Sequence, residues 1–147
     1  MRRAGTAALA LLALSCGGAG REELRFALVS TCLQYAQPTE RVFRTSAEWS
    51  AAHRVGQDVP AIDFGANEVA ARFDGPGSAC TSFSVEAVRV EDGFVVVHAT
   101  RHASTLPCIL IVAYPQVLVS LPRRDEPVRF VINSVSGDAP GPARACY

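Results

Sequence analysis

The sequence contains no lysine, few aromatic residues and no surplus of either charge. All 14 basic residues are arginine and 14 residues are acidic, so the formal net charge at pH 7 is zero. A domain that binds nucleic acid needs clustered positive charge, and a phosphate-binding loop ending in Gly-Lys-Ser/Thr needs a lysine. The composition therefore excludes that loop and gives no basis for nucleic-acid binding.

Motifs of hydrolases and metalloenzymes are also missing. There is no His-Glu-x-x-His and no Gly-x-Ser-x-Gly in the chain. His98 and His102 fall on one face of a predicted strand, about 13 Å apart, which is too far for both to bind one metal ion. We therefore expect no metal and no cofactor.

A serine triad has no better support. Ser82 and Ser84 lie near His102 in the predicted hairpin, whereas Asp63 and Asp74 lie elsewhere on the chain. A triad drawn from these residues would combine common residue types without a motif. We expect no catalytic residue and a protein that is not an enzyme.

No apolar run reaches the roughly 20 residues that cross a bilayer. The N-terminus instead has Arg2 and Arg3, an uncharged, largely apolar run from Ala4 to Leu14, and small residues after it. This order is typical of a secretory signal peptide. Residues 1–15 are therefore predicted to be a cleaved signal.

Cys16 is the predicted attachment point of a lipid. Leu12-Ala13-Leu14-Ser15-Cys16 resembles the bacterial lipobox, in which cleavage precedes an acylated cysteine. Several acyl chains on one residue give stable membrane anchoring. Gly17, in place of Asp, resembles outer-membrane sorting. We expect residues 16–24 to form a lipidated tether in the bacterial cell envelope, at the outer membrane, facing the periplasm or the surface.

The other cysteines form an even set. Once Cys16 carries lipid, Cys32, Cys80, Cys108 and Cys146 remain in an oxidising compartment, where they are predicted to form disulfides. Asp92-Gly93 predicts a tight hairpin in which paired positions sum to 185, so Cys80 would face Thr105, close to Cys108. We favour Cys80–Cys108 and, by exclusion, Cys32–Cys146, over the other two pairings.

The remaining pattern predicts a mainly β domain. One helix is predicted over Ser46–Arg54, because Thr45 and Glu48 have the form of a capping box. Trp49 on that helix should enter the core. Alternating segments before and after it predict a small antiparallel sheet or sandwich with the helix packed on it. We assign residues 25–134 to this domain and residues 135–147 to an irregular tail.

The order of these segments resembles the PrcB family of protease-complex subunits over residues 41–130. The matching positions are Glu48-Trp49, Asp63-Phe64, Val69 to Gly75, Thr81 to Thr100, Pro115 to Pro122 and Pro127 to Phe130. The resemblance implies a lipoprotein that binds and stabilises an exported protease or protease complex without being catalytic. The family's Thr-Gly-Gly-Tyr turn is replaced here by Ser78-Ala79-Cys80-Thr81.

The segment from Gly75 to Thr81 is the predicted contact surface, since its backbone is expected to be flexible and its flanks fixed. The candidate residues are Gly75, Pro76, Gly77, Ser78 and Thr81. We expect valine at Gly75 or Gly77 to weaken binding with little change in the thermal midpoint. An alternative is a protease inhibitor of the chagasin type, which would insert this segment into an active-site cleft. A further alternative is a surface lipoprotein that binds another ligand.

The predicted anchor has a direct test in the intact mass of protein purified from its native envelope. We expect a chain that begins at Cys16 and carries fatty acyl groups. An unmodified mass for residues 1–147 would contradict both the signal peptide and the lipid.

Overall fold

The computed structural model describes residues 21–107 and 111–137 together with Cys146. Within these residues the chain forms ten strands and one helix, which confirms the predicted mainly β fold. The strands are β1 (Glu22–Glu23), β2 (Ala27–Leu28), β3 (Thr39–Phe43), β4 (Asn67–Phe73), β5 (Gly77–Ser78), β6 (Thr81–Glu91), β7 (Phe94–Ala103), β8 (Val112–Ala113), β9 (Gln116–Pro122) and β10 (Val128–Ser136), and the helix is α1 (Ser46–Ala51). No helix in the described part of the chain has the length and apolarity needed to cross a membrane.

Two four-stranded sheets form a sandwich. Sheet A has the strand order β1-β6-β7-β10 and sheet B the order β2-β9-β4-β3, while β5 and β8 pair separately. All of these pairs are antiparallel except β7 and β10, which run parallel. The parallel pair arises because the chain passes through sheet B between them, and such a pair cannot be joined by a tight turn.

The β6–β7 hairpin confirms the predicted turn. Asp92–Gly93 has positive φ angles of 50° and 78°, as the turn that matches strand twist requires. From the turn back to Ala87 the numbers of paired residues sum to 185. A β-bulge at Val85–Ala87 then shifts the pairing by one residue, so that the sum becomes 184. Cys80 therefore faces Ser104, whose N–H donates to the Cys80 carbonyl at 2.9 Å, rather than Thr105.

Apolar side chains fill the space between the sheets. The buried residues there are Leu24, Ala70, Val88, Val95, Val97, Val117, Val119 and Leu121. Leu24 lies between β1 and β2, and the others come from β4 and β9 on one side and from β6 and β7 on the other. Removing this apolar surface from water is the main force that holds two sheets face to face.

Sheet B is also covered on its second face, by α1 and irregular segments. The buried residues there are Leu33, Phe43, Trp49, Phe64, Val69, Ala71, Phe73 and Leu118. The capping box of α1 is confirmed, with Thr45 and Glu48 each accepting a backbone N–H of the other residue. Trp49 lies in the core as predicted, and its indole N–H donates to the Pro60 carbonyl at 2.9 Å.

The helix is three residues shorter than the predicted Ser46–Arg54. At its end the backbone donors bond to acceptors three residues back: Ala52 N–H donates to the Trp49 carbonyl at 3.2 Å and His53 N–H to the Ser50 carbonyl at 3.1 Å. The His53 imidazole Nδ1 lies 2.7 Å from the Trp49 carbonyl. The His53 ring thus occupies the acceptor that the His53 backbone N–H needs for another α-helical turn.

The folded region also extends beyond the range predicted for it. Glu22–Glu23 pairs with β6, and Leu24 is 7% exposed, so the segment assigned to the tether contributes to the core. At the other end β10 continues to Ser136, into the segment assigned to the tail. The signal peptide, Cys16 and most of the tail lie outside the described residues.

The structure contains the Cys32–Cys146 disulfide that elimination predicted. Gln116 binds beside it, donating to the Thr31 carbonyl at 2.9 Å and accepting from Leu33 N–H at 3.2 Å. Cys80 is also disulfide-bonded, and its predicted partner Cys108 lies outside the described residues.

Replacing both Cys32 and Cys146 by alanine should lower the free energy of unfolding by about 3 to 5 kcal/mol, since the bond closes a loop of 114 residues. Guanidinium denaturation of the variant and the parent protein, both without reductant, measures the difference. A loss below about 1 kcal/mol would show that the tail contributes little, provided that mass analysis finds Cys80 still oxidised.

Candidate functional site

The predicted contact residues lie at the end of the sandwich where β6 begins, but they do not form one flexible loop. Gly75 is buried with a φ of 75°, and a Cβ added to it would lie 3.4 Å from Gln37 and 3.5 Å from Pro38. Pro76 and the strand β5 are exposed, whereas Thr81 is half-buried as the first residue of β6. The expectation of a flexible backbone at Gly75 is therefore wrong. This glycine is a buried turn residue, and the exposed part of the segment is Pro76 to Ser78.

Asp74 fixes the start of this segment. Its carboxylate accepts from Arg101 of β7 at 3.0 Å and lies 3.4 Å from Arg72 of β4. Its backbone N–H donates to the Pro115 carbonyl at 3.0 Å. Because β4 and β7 belong to different sheets, Asp74 bridges the two sheets directly before the turn.

Arg72 is the other half of this network. Burial by itself lowers the pKa of the guanidinium, but hydrogen bonds and charges from Glu40 and Asp74 outweigh it and raise the pKa above its ordinary value. The Arg72–Glu40 distance is 2.6 Å. The Arg72 guanidinium therefore stays charged at any physiological pH.

Three exposed apolar side chains lie beside the exposed segment from Pro76 to Ser78. Leu106 is 64% exposed, Ile111 41% and Val112 61%. Val112 pairs with Ser78 across β5 and β8, and the Leu106 carbonyl oxygen is 4.0 Å from Cys80 Sγ. We call this surface the β5/β8 patch; it consists of Pro76, Gly77, Ser78, Leu106, Ile111 and Val112.

The chain enters the domain at the opposite end of the sandwich. Glu22 pairs with Val90, near the end of β6, and accepts from Arg124 at 2.7 Å. The hydrogen bond to Glu22 is the largest cause of the raised pKa of Arg124. Because β6 runs from Thr81 to that end, the patch lies about 30 Å from the entry of the chain.

Ser84 and His102 do meet on the outer face of sheet A. Ser84 Oγ is 2.8 Å from His102 Nε2 and 3.1 Å from a Glu86 carboxylate oxygen. A serine nucleophile also needs an acid that orients its histidine. Asp63 instead accepts from Gly65 N–H and Asp74 pairs with arginines. Among the described residues no carboxylate contacts His102, so the pair carries no complete triad.

The other residues considered for chemistry are dispersed. His98 contacts Glu91 at 3.2 Å. Over residues 21–107, 111–137 and Cys146, no group of three or more potential ligands is placed to hold a metal ion. Two surface cavities, of about 450 and 640 Å³, lie against α1 and against the segment between β9 and β10. Neither includes the serine–histidine pair.

Sequence reasoning missed the apolar half of the patch. Ile111 and Val112 stand in a long apolar run, which is equally consistent with a buried strand. Only two residues of that run, Val112–Ala113, form β8 within the described chain, and the side chain of Val112 faces outward. Proline cannot donate a hydrogen bond to a neighbouring strand, so Pro115 was the feature of the sequence that indicated a short strand here.

Compared with protein-family models, with curated proteins and with solved structures, the chain matches none.

Valine at Gly75 and at Gly77 should have different effects on stability, which corrects the expectation that neither change moves the thermal midpoint. Gly75→Val forces a β-branched residue into a positive φ and should lower the free energy of unfolding by about 1 to 3 kcal/mol. At Gly77 an added Cβ meets Pro115 at 3.5 Å, an ordinary contact, so Gly77→Val should change stability by less than about 0.5 kcal/mol. Thermal and chemical denaturation of both variants check this; equal stability would contradict the fixed turn at Gly75.

Proposed function

We propose that this protein is a non-enzymatic lipoprotein of the bacterial envelope that binds and stabilises a partner protein through the β5/β8 patch. The observation that carries the proposal is the exposure of three large apolar side chains, Leu106, Ile111 and Val112, at one end of the sandwich. Interface cores are apolar and depleted of charge, and the six patch residues include no charged group.

The position of the patch supports a role at a membrane. Four residues separate the predicted lipid on Cys16 from Arg21, the first described residue. The end of the sandwich that contains Glu22 is then held near the bilayer. The patch lies about 30 Å away along β6, so the anchored end does not cover it and it stays accessible to a protein beside the membrane.

An exported protease or protease complex is the partner implied by the PrcB resemblance. An accessory role suits the patch better than inhibition, because the exposed backbone of β5 is paired with β8 in a small sheet. An inhibitor that fills a cleft needs a segment that projects on its own. The experiment below therefore distinguishes the protease inhibitor from the accessory subunit.

The experiment is a mild-detergent pull-down of the full-length, lipidated protein from its native envelope, followed by an assay of proteolytic activity in the eluate. We expect an active protease to be recovered. A protease recovered inactive would favour the inhibitor, and no protease under conditions that keep the lipid in place would contradict a protease partner.

The patch itself is tested by Val112→Glu, which places a charge among the exposed apolar side chains. We expect recovery of the partner to fall about tenfold or more, the cost of one buried unpaired charge at an interface. Val55→Glu is the matched control, because Val55 is fully exposed and follows α1, outside the patch. Equal recovery with both variants would remove the patch from the proposal.

A further inference from the structure

Among the strands of the described residues, β10 is the longest one that lies at the edge of a sheet and pairs on one side only. It spans nine residues, Val128–Ser136, and its one neighbour in sheet A is β7. Its pairing with β7 runs without interruption from Val128 to Ser136. Edge strands present unpaired backbone groups to which another strand can add.

The direction of these backbone groups follows from the parallel pairing. Val95 N–H donates to the Pro127 carbonyl and Gly137 N–H donates to the Ala103 carbonyl. In a parallel ladder this places the N–H and C=O of the odd-numbered β10 residues toward β7. The even-numbered residues therefore direct theirs away from the sheet; they are Val128, Phe130, Ile132, Ser134 and Ser136.

Other edges of the two sheets are protected in ways that β10 is not. β1 and β2 have two residues each, and β3 carries the charged Glu40 and Arg41. From Phe130 to Ser136, β10 has no charge, no proline and no bulge. Its one charged residue, Arg129, turns back onto the sheet, with its guanidinium carbon 4.6 Å from the Phe94 ring centroid. Short or charged edges resist strand addition, and β10 lacks both features.

We propose that β10 pairs antiparallel with β10 of a second copy of this chain, joining two sheets A into one eight-stranded sheet. The midpoint of β10 is Ile132, an outward-facing position. A twofold axis at Ile132 pairs Phe130 with Ser134 and Val128 with Ser136 of the second copy. Every outward N–H and C=O of the strand then has a partner, whereas an axis at Val131 or Asn133 would leave one outward residue at an end of the strand without a strand residue opposite it.

The side chains are compatible with this register. On the outer face of sheet A, Val131 is 38% exposed and Val135 45%. The twofold axis places Val131 beside Asn133 and Val135 beside Arg129 of the other copy. No like charges become opposed, because the two Arg129 residues lie six positions apart along the strand. This interface is separate from the β5/β8 patch. Because the twofold axis reverses the second copy, the two Glu22 ends lie at opposite ends of the joined sheet, and both anchors reach one bilayer when the strands run along its surface.

Cysteine cross-linking of the full-length protein in its native envelope tests the register. Ile132→Cys places the two new cysteines opposite each other with a Cα–Cα separation of about 5.5 Å, which a disulfide spans. Ser136→Cys is the matched control, because its two copies lie about 26 Å apart in the same register. Mild oxidation should convert most of the Ile132→Cys protein to a band of twice the mass, and at least about tenfold less of the control.

A second variant separates strand pairing from chance collision. Ser134→Pro removes an outward N–H but no bond to β7, so the fold should persist with an unchanged thermal midpoint. Added to Ile132→Cys, it should reduce the cross-linked dimer at least about tenfold. An absent dimer, equal cross-linking of the control, a product with a different protein, or a dimer that survives the proline would each overturn the proposal.

Discussion

Burial of sheet B on both faces is the constraint on which the rest of the molecule depends. In β4, Val69, Ala71 and Phe73 point toward α1 while Ala70 points toward sheet A, and all four are at most 2% exposed. A strand that is apolar on both faces must be covered by two layers. Sheet A supplies one layer and is therefore free to be polar on its outer face. The second layer has to be built from the short helix and irregular segments.

That second layer holds its position through specific bonds, since it has little regular structure. Trp49 fills the space over sheet B, and its indole N–H is satisfied by Pro60. Gln116 at the start of β9 binds the backbone on both sides of Cys32, whose disulfide attaches Cys146 to the same place. A buried charge is included: Glu68 is 0% exposed and pairs with Arg44 at 2.8 Å, while its other carboxylate oxygen has no hydrogen-bond partner among the described residues. Such a pair strongly disfavours loss of Arg44 and adds little net stability by itself.

The candidate site was predictable in location and only partly in content. Glycine, proline and serine at Gly75 to Ser78 mark an irregular turn before a strand, and the exposed residues do lie there. The burial of Gly75 could not be predicted, because it depends on Gln37 and Pro38, which pack against it from a distant part of the chain. The exposure of Leu106 and Val112 has the same origin: a hydrophobic run reports which side chains can be buried, and the covering layers decide which of them are.

The sequence by itself determined the features set by neighbouring residues and by counting. The capping box started α1 at Ser46, and Asp92-Gly93 set a tight hairpin. The even number of remaining cysteines, together with that hairpin, favoured Cys32–Cys146 among three possible pairings. Only the tertiary structure decided that β10 lies parallel to β7, that a bulge moves Cys80 opposite Ser104, and that β10 is the last strand of sheet A among the described residues. The physical reason is range: caps and turns satisfy backbone groups within about four residues, whereas strand partners and exposed edges follow from how two sheets bury their apolar faces together.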